Sequence, residues 1–253
     1  MADSTQRFSD RVENYVRYRP SYPVALIQCL QDKANLNRSC VVADIGAGTG
    51  ILTALLLPVT GQLHAVEPNA EMRAAAARDL GSSGNYHSIS ATAEVTTLPD
   101  ASVDLITAGQ AFHWFNVAKA RAEFARILKP NGHVSLIWNE RLVDSTHFLI
   151  SYDDLLKTRA TDYDQVNHTR IDTAVIADFF APSGFDIFEF PTEQNFDLAG
   201  LKGRALSSSY VPNVGQPGHE EFFSQLEQIF ADHVRDGKVS FKYQTRLYLG
   251  RLT

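Results

Sequence analysis

The sequence predicts an α/β protein with a doubly wound, mostly parallel sheet of seven strands and a helical cap. Short β-branched runs alternate with amphipathic stretches from about residue 40 to about residue 138. Such alternation indicates parallel strands with helices on both faces. The length of 253 residues suits one domain with an added cap, whereas two full domains would be cramped.

Five strands and three helices account for the alternating segment. The strands are predicted at 41–45, 62–66, 86–90, 103–107 and 133–138, and the helices at 51–57, 70–80 and 116–128. The apolar residues of the third helix fall on one face, and the turn-forming residues 129–132 end it. Because such sheets bind ligands beyond the carboxyl ends of their strands, we look for chemistry after the first, second and fourth strands.

Two more strands and several helices flank this segment. A helix begins near Pro23, a residue favoured in the first helical turn. Residues 185–196 look like a strand interrupted at Pro191, and residues 239–249 alternate like a strand with one wet face. The stretch 198–236 is mostly helical, with a turn-rich break at 212–218.

These elements predict a single domain over residues 1–253. We assign the core to about 36–140, 183–197 and 238–253, and the cap or lid to 1–22, 141–180 and 198–236.

Composition excludes several classes of protein. The chain has 23 Lys and Arg against 29 Asp and Glu, and its net charge of −6 does not favour binding to the negatively charged phosphates of nucleic acid. Cys29 and Cys40 are too few for a disulfide framework or a cysteine-based zinc site, and the histidines lack metal-ligand spacing. The sequence shows no signal-peptide or membrane-spanning stretch, so we expect a cytoplasmic protein without membrane or metal, as a monomer or homodimer.

A glycine-rich loop follows the first strand and reads Asp44-Ile45-Gly46-Ala47-Gly48-Thr49-Gly50. Glycine allows a sharp turn and close approach of a ligand to the backbone. A dinucleotide fingerprint requires G-x-G-x-x-G, but Ile51 stands where its third glycine would be. A nicotinamide-dependent reductase is therefore disfavoured.

A carboxylate at the end of the second strand supports a nucleoside ligand. Glu67 lies 21 residues after Gly46, where it can accept both hydroxyls of a ribose. Taken alone, Glu67 could equally be a charge that favours the start of the next helix. Its combination with the glycine loop favours the ligand role.

Four ordered motifs over residues 40–138 resemble those of class I S-adenosylmethionine-dependent methyltransferases: VVADIGAGTG, HAVEPNAEM, ATAEVTTLPDASVDLITAGQAFHWF and RILKPNGHV. The flanks YVRYRPSYP, QAFHW and SSSYVP resemble a small-molecule subgroup that includes trans-aconitate methyltransferase-like proteins. The resemblance implies a Rossmann-like methyltransferase fold with an antiparallel last strand.

The resemblance also implies a cofactor site for S-adenosyl-L-methionine, with S-adenosyl-L-homocysteine as product. Asp44 would bind the amino-group region of the methionine part, and Glu67 would bind the ribose hydroxyls. Gln110 would lie beside the methionine part and the sulfonium. The remaining positions would supply backbone, apolar walls or a lid, and the full set is Tyr15, Asp44, Gly46, Ala47, Gly48, Glu67, Pro68, Met72, Ala93, Glu94 and Gln110.

Acceptor residues are expected after the fourth strand and in the flanks. His113 is the candidate general base, with a histidine satisfied by a backbone carbonyl as the structural alternative. Arg19 suits a carboxylate, because a guanidinium can bind one with two parallel hydrogen bonds. The expected acceptor-binding residues are Arg19, Tyr18, Phe112, Trp114 and Tyr210.

Together these expectations describe a methyltransferase for a small molecule, with O-methylation of a carboxylate-bearing metabolite as the leading hypothesis. Two alternatives stay open: C- or O-methylation of a phenolic or quinone-type acceptor, and a cofactor-binding protein without turnover. Nucleic-acid or protein methylation is disfavoured by the acidic balance. The sequence Gly109-Gln110-Ala111-Phe112 also stands where an Asn/Asp-Pro-Pro-Tyr-like tetrad would be.

Overall fold

The computed structural model describes residues 12–161, 163 and 173–252. Its sheet has seven strands in the order β3-β2-β1-β4-β5-β7-β6. The strands are β1 (Val41–Ile45), β2 (Gln62–Val66), β3 (Tyr86–Ile89), β4 (Val103–Gly109), β5 (Leu128–Arg141), β6 (Phe185–Phe196) and β7 (Val239–Gly250). The first five pair in parallel, and β7 runs antiparallel between β5 and β6. The predicted fold class is confirmed.

The helices connect the strands or form the cap. In chain order they are α1 (Val12–Tyr18), α2 (Val24–Ala34), α3 (Ile51–Leu56), α4 (Ala70–Leu80), α5 (Val117–Ile127), α6 (His147–Arg159), α7 (Thr173–Phe180), α8 (Leu198–Leu206) and α9 (His219–His233). Within the described ranges, no helix is long and apolar enough to cross a membrane. Residues 1–11 of the expected lid and residues 162 and 164–172 of the expected cap lie outside the described residues.

Side chains local to the turns begin several of these helices. Asn69 accepts a hydrogen bond from the Met72 N–H at 2.9 Å and so caps α4. Asn116 caps α5 in the same way, through the Lys119 N–H. These caps satisfy backbone donors that have no partner inside the helix.

Strand β6 corrects one expectation. It runs without interruption, and Pro191 pairs with Gln244 of β7. Because β6 lies at the edge of the sheet, a proline costs it no ladder hydrogen bond on the open side. Strand β5 also extends beyond 133–138, so that its last residues Asn139–Arg141 reach the carboxyl edge of the sheet.

Two apolar clusters cover the two faces of the sheet. Successive side chains of a strand point to opposite faces, and accordingly Ala43 belongs to one cluster and Val42 to the other. A third cluster lies in the cap, where α6, α8 and α9 pack against the start of β7. The cap therefore has an apolar core of its own, separate from the two clusters that cover the faces of the sheet.

Helix α1 packs against cap helix α8, and the Tyr18 ring lies over Gly203. Tyr18 packs edge-on against Phe196 at 6.3 Å between ring centroids. A Cβ at Gly203 of α8 would overlap the Tyr18 ring. Glycine at position 203 therefore lets the two helices approach.

We expect Gly203→Ala to lower the free energy of unfolding by about 1–3 kcal/mol, because the added methyl overpacks the contact with Tyr18. Urea unfolding measures this change. In a Tyr18→Ala background the same substitution should be neutral or stabilising, since alanine favours a helix over glycine by about 1 kcal/mol. Gly84→Ala is the control, because its Cβ would meet open space. Equal stability of Gly203→Ala and Gly84→Ala would contradict the packing described.

Candidate active site

Two adjoining cavities lie at the carboxyl edge of the sheet, where β1, β2, β4 and β5 end. The smaller cavity has a volume of about 290 Å³ and the larger about 480 Å³. The residues that line both are Tyr15, Gly46, Gly48, Gly109, Gln110 and Trp114. The two cavities therefore meet along the glycine loop and the end of β4.

The glycine loop borders both cavities with backbone alone. Gly46 and Gly48 have φ of 70° and 58°, in the left-handed region where glycine is favoured. A Cβ at Gly46 would lie 2.5 Å from the Ala111 Cβ, so the loop could not pack this closely with a larger residue. Ala47 lines the larger cavity beside them.

Glu67 joins the glycine loop to the end of β2. Its carboxylate accepts hydrogen bonds from the Gly48 N–H at 3.0 Å and the Asn69 N–H at 2.9 Å. Burial raises the pKa of Glu67, and these two donors oppose that rise. The side chain is 8% exposed and lines the smaller cavity. A carboxylate offers about four acceptor sites, so two hydroxyl groups of a ligand can still bind.

Asp44 lies beneath the loop, at the end of β1. It is 1% exposed and accepts hydrogen bonds from the hydroxyls of Thr53 at 2.6 Å and Thr107 at 2.8 Å. Burial raises its pKa to about 6, although both threonines favour the ionised form. Asp44 lines the larger cavity, next to the part shared with the smaller one.

Apolar groups form the walls of the smaller cavity. Pro68, Met72, Ala93 and Phe115 line it, and Met72 and Ala93 are themselves buried. Glu94 also lines this cavity and accepts a hydrogen bond from the Asn116 N–H at 2.8 Å. This is a slot for a flat, weakly polar ring, with a carboxylate at one end.

The junction of the cavities is built by the turn after β4. Gln110 has a positive φ of 57° and donates from Nε2 to the Asn139 carbonyl at 3.1 Å. His113 and Trp114 follow, with ring centroids 4.8 Å apart, and both line the larger cavity. The structure thus brings Gln110, His113 and Trp114 together as the sequence predicted.

Three arginines line the larger cavity. Arg19 donates to the Ser207 carbonyl at 2.9 Å and lies 5.0 Å from the centre of the Tyr15 ring. Burial and the charge of Arg204 lower the pKa of Arg19. Arg141 binds the Asp153 carboxylate at 2.6 Å. Tyr210 lines the same cavity, as expected.

Two expected acceptor residues lie elsewhere. Phe112 is 0% exposed and packs among the core rings Trp138 and Phe179, so its assignment to the acceptor wall is wrong. The turn that follows β4 directs Phe112 into the sheet's core and its neighbours into the cavity. Tyr18 lines neither cavity and instead packs against α8 and Phe196.

Sequence reasoning missed several residues of the larger cavity. Asn139 and Arg141 come from the end of β5, which reaches the same carboxyl edge of the sheet as β1, β2 and β4. Tyr22 belongs to the segment 1–22 that was expected to form a lid, and it lines the cavity with its hydroxyl where a side chain at Gly109 would be. Arg204 and Tyr243 belong to α8 and β7, and no local pattern marks them.

The part of the chain that forms most of the sheet is similar to known methyltransferases. Residues 43–136 match the methyltransferase domain family. They form a class I S-adenosylmethionine-dependent methyltransferase domain, as the resemblance implied. The family is one of enzymes. The trans-aconitate methyltransferase-like subgroup stays a prediction.

Individual relatives agree with the domain. An uncharacterized methyltransferase of Schizosaccharomyces pombe is 34% identical over 135 residues, 53% of each chain. One of Mycobacterium tuberculosis is 39% identical over 143 residues, 55% of this chain and 54% of its own. The matches thus span about half the length of these curated relatives. A structure from Anaeromyxobacter dehalogenans, assigned as a type II methyltransferase, shares the fold with a TM-score of 0.68 and 23% identity, over 92% of this chain and 98% of its own.

The buried carboxyl of Asp44 generates a prediction about pH. Its pKa of about 6 in the folded chain exceeds the ordinary 3.8, so its contribution to stability is full below pH 3.8 and is lost as the pH rises through 6. We therefore expect the unfolding free energy of the wild type, relative to that of Asp44→Asn, to fall by about 2 kcal/mol between pH 4 and pH 7.

Urea unfolding of both proteins across this range measures the difference. Asp100→Asn is the control, because Asp100 is exposed. A difference between wild type and Asp44→Asn that does not change with pH would show that burial leaves the Asp44 carboxyl unperturbed.

Proposed function

We propose that this protein transfers a methyl group from S-adenosyl-L-methionine to a small acceptor that bears a carboxylate. The observation that carries the proposal is the pair of joined cavities. One has the carboxylate and apolar slot that suit a nucleoside, and the other contains the guanidinium of Arg19.

The residues present fit the cofactor. Glu67 would accept the ribose hydroxyls, and Pro68, Met72 and Ala93 would contact the adenine. Gly46 and Gly48 line both cavities without a side chain, so the backbone of the glycine loop would face the amino-acid part. The binding groups thus follow one another along the carboxyl edge in the order that this molecule requires.

The size of the larger cavity favours a small acceptor. Its volume of about 480 Å³ would also have to hold the methionine part of the cofactor, because Asp44 and the glycine loop line it. Pockets for drug-sized ligands span roughly 300–1,000 Å³, so the space left suits a metabolite rather than a polymer. The α1 segment, through Tyr15, forms part of the wall.

When bound, the cofactor would supply a methyl group on a sulfonium, which an acceptor oxygen takes as the carbon–sulfur bond breaks and its electron pair stays on sulfur. A carboxylate is already ionised near neutral pH, so no residue has to remove a proton. The chain's own contribution is then alignment and exclusion of water. Arg19 would orient the acceptor, while His113 and Trp114 close the junction.

Two observations support a carboxylate acceptor. Arg19 is partly buried and forms no ion pair with a carboxylate of the described residues, so its guanidinium is available to an acid. A relative from Marinomonas named malonyl-[acyl-carrier protein] O-methyltransferase is 32% identical over 134 residues, 51% of this chain and 48% of its own. Its name places O-methylation among the reactions of related domains.

The second candidate is methylation of a hydroxyl or an acidic carbon, with His113 as general base. It is favoured by one observation, the position of the His113 imidazole in the larger cavity. The two candidates differ in whether a proton must be removed during the reaction.

Cofactor binding is tested first. We expect S-adenosylhomocysteine to raise the melting temperature, because a ligand that binds only the folded chain stabilises it by mass action. Glu67→Gln should weaken its binding about tenfold or more, through the loss of charge-assisted hydrogen bonds to ribose. Calorimetry measures the dissociation constant of S-adenosylhomocysteine for the wild type and for Glu67→Gln, and Glu220→Gln, at an exposed position, is the control. Unchanged affinity in folded Glu67→Gln would remove Glu67 from the site.

The pH profile of His113→Ala distinguishes the two candidates. If a carboxylate is methylated, the variant should lose less than about tenfold in kcat, and the wild-type rate should not depend on the protonation state of an imidazole. If a hydroxyl or carbon is methylated, the loss should be about a hundredfold or more, and the rate should rise with pH as an imidazole loses its proton.

Methyl-transfer kinetics at varied acceptor concentration test the role of Arg19. We expect Arg19→Gln to raise KM for carboxylic acids by about tenfold or more. The exposed Arg38→Gln is the matched control for loss of one guanidinium. Turnover of uncharged acceptors alone, with Arg19→Gln indistinguishable from wild type, would contradict the carboxylate assignment.

A further inference from the structure

The carboxyl group of Asp44 has a hydroxyl donor for each of its two oxygen atoms. Thr53, in the first turn of α3, donates to Oδ2 at 2.6 Å, and Thr107 of β4 donates to Oδ1 at 2.8 Å. Both threonines are 0% exposed. Thr107 pairs directly with Asp44 in the β1–β4 register, so one donor comes from the sheet and the other from the helix that follows the glycine loop. Two separate elements thus hold one carboxyl group.

The other groups that face this carboxyl do not stabilise its charge. Burial raises the pKa of Asp44, and the charge of Glu67 at the end of β2 raises it further. The phenol of Tyr22 faces Asp44 from the segment before α2, and burial, Tyr15 and Asp44 raise the pKa of Tyr22. No lysine, arginine or histidine of residues 12–161, 163 and 173–252 forms an ion pair with Asp44.

The two threonines oppose the cost of this burial. A hydrogen bond from a hydroxyl to a carboxylate favours the ionised form. Both bonds lower the pKa of Asp44, which burial nevertheless holds at about 6. Without the threonines, a carboxyl that is 1% exposed and has no cation beside it would be neutral at a higher pH still.

The cavities indicate which part of the cofactor would meet Asp44. The nucleoside fits the smaller cavity, whereas Asp44 lines only the larger one, beside the glycine loop. The amino-acid part of the cofactor has an ammonium and a carboxylate, and an ionised Asp44 attracts only the ammonium.

We propose that Thr53 and Thr107 are positioning residues for the cofactor: their hydroxyls keep the Asp44 carboxyl ionised, so that it binds the ammonium of the amino-acid part. This inference rests on the cofactor binding proposed above and adds the two residues that make Asp44 effective near neutral pH. Neither threonine lines either of the two cavities, so both act through Asp44.

The proposal makes cofactor affinity depend on pH. Below its pKa of about 6, Asp44 of the free protein carries a proton that must leave when the ammonium binds. The affinity for S-adenosylhomocysteine should therefore rise from pH 5 to pH 7 and then level off. Binding at pH 6 should release about half a proton, which calorimetry in two buffers of different ionisation enthalpy measures on the wild type alone.

Thr53→Val and Thr107→Val each remove one hydroxyl and nearly keep the shape of the side chain. The loss of one bond to the carboxylate should move the midpoint of the rise from about pH 6 to about pH 7. At pH 6 each variant should bind S-adenosylhomocysteine about fivefold more weakly than the wild type, and at pH 8 nearly as tightly. A structural defect alone would weaken binding equally at both pH values.

Matched variants identify the hydroxyl as the cause. Thr53→Ser and Thr107→Ser retain a hydroxyl and should keep the wild-type pH profile. Thr60→Val should leave the affinity unchanged at every pH, because Thr60 is a buried threonine that lines neither cavity and whose hydroxyl has no hydrogen-bond partner among the described residues.

Two further controls isolate Asp44. Asp44→Asn cannot ionise at this position and should lose the rise, so any pH dependence that it keeps comes from other groups of the larger cavity, such as Arg19 and His113. The ligand 5′-methylthioadenosine has the nucleoside and the sulfur but no amino-acid part. Its affinity at pH 6 should be the same for the wild type and both valine variants.

The outcomes separate this proposal from the one on which it rests. Valine variants that match the wild type at pH 6, or that lose as much affinity at pH 8 as at pH 6, would overturn the role of the threonines and leave the cofactor site in place. If neither valine variant folds, wild-type proton release no greater with S-adenosylhomocysteine than with 5′-methylthioadenosine has the same meaning. Failure of the wild type to bind S-adenosylhomocysteine at any pH would overturn the cofactor site itself.

Discussion

The hydrogen bond from the Gly48 N–H to the Glu67 carboxylate is the contact on which the candidate site depends. It joins the loop after β1 to the end of β2 at 3.0 Å. The loop turns here through Gly46 and Gly48, whose positive φ favours glycine, and the close packing of Gly46 on Ala111 admits no side chain. With this contact in place, the smaller cavity has its carboxylate and its backbone wall, and the larger cavity begins on the other side of the same loop.

Much of the fold could be predicted, because its signals are local. The period of the apolar residues identified β1 to β5 and the helices between them, and the glycine loop and Glu67 lie beside strand ends in a short stretch of chain. Pro191 misled the prediction because a sequence does not tell which strand lies at the edge, where proline is tolerated. Phe112 was placed on the wrong side because the direction of a single turn decides between core and cavity.

The cationic part of the larger cavity could not be predicted in the same way. Arg141 at the end of β5 and Arg204 in α8 lie 63 positions apart in the chain and meet only through the tertiary structure. Arg204 occupies a helix position that looks like an ordinary solvated charge in the sequence. The net charge of −6 gives no indication of a cationic cavity, because it sums charges over the whole chain and does not show where they lie.

The arrangement separates two tasks that use opposite charges. Carboxylates, Asp44 and Glu67, stand where a cationic, hydroxyl-bearing cofactor would bind, and guanidinium groups stand where an anionic acceptor would bind. Between them lie Gln110, His113 and Trp114 at the end of β4. A sulfonium and a carboxylate would meet at this junction and neutralise each other, which a site shielded from water favours.

A crystal structure of the protein with S-adenosylhomocysteine tests this account most directly. It should show the ribose hydroxyls on the Glu67 carboxylate and the sulfur beside Gln110 and Trp114, where the two cavities meet. A nucleoside bound away from Glu67, or a sulfur away from that junction, would contradict the account.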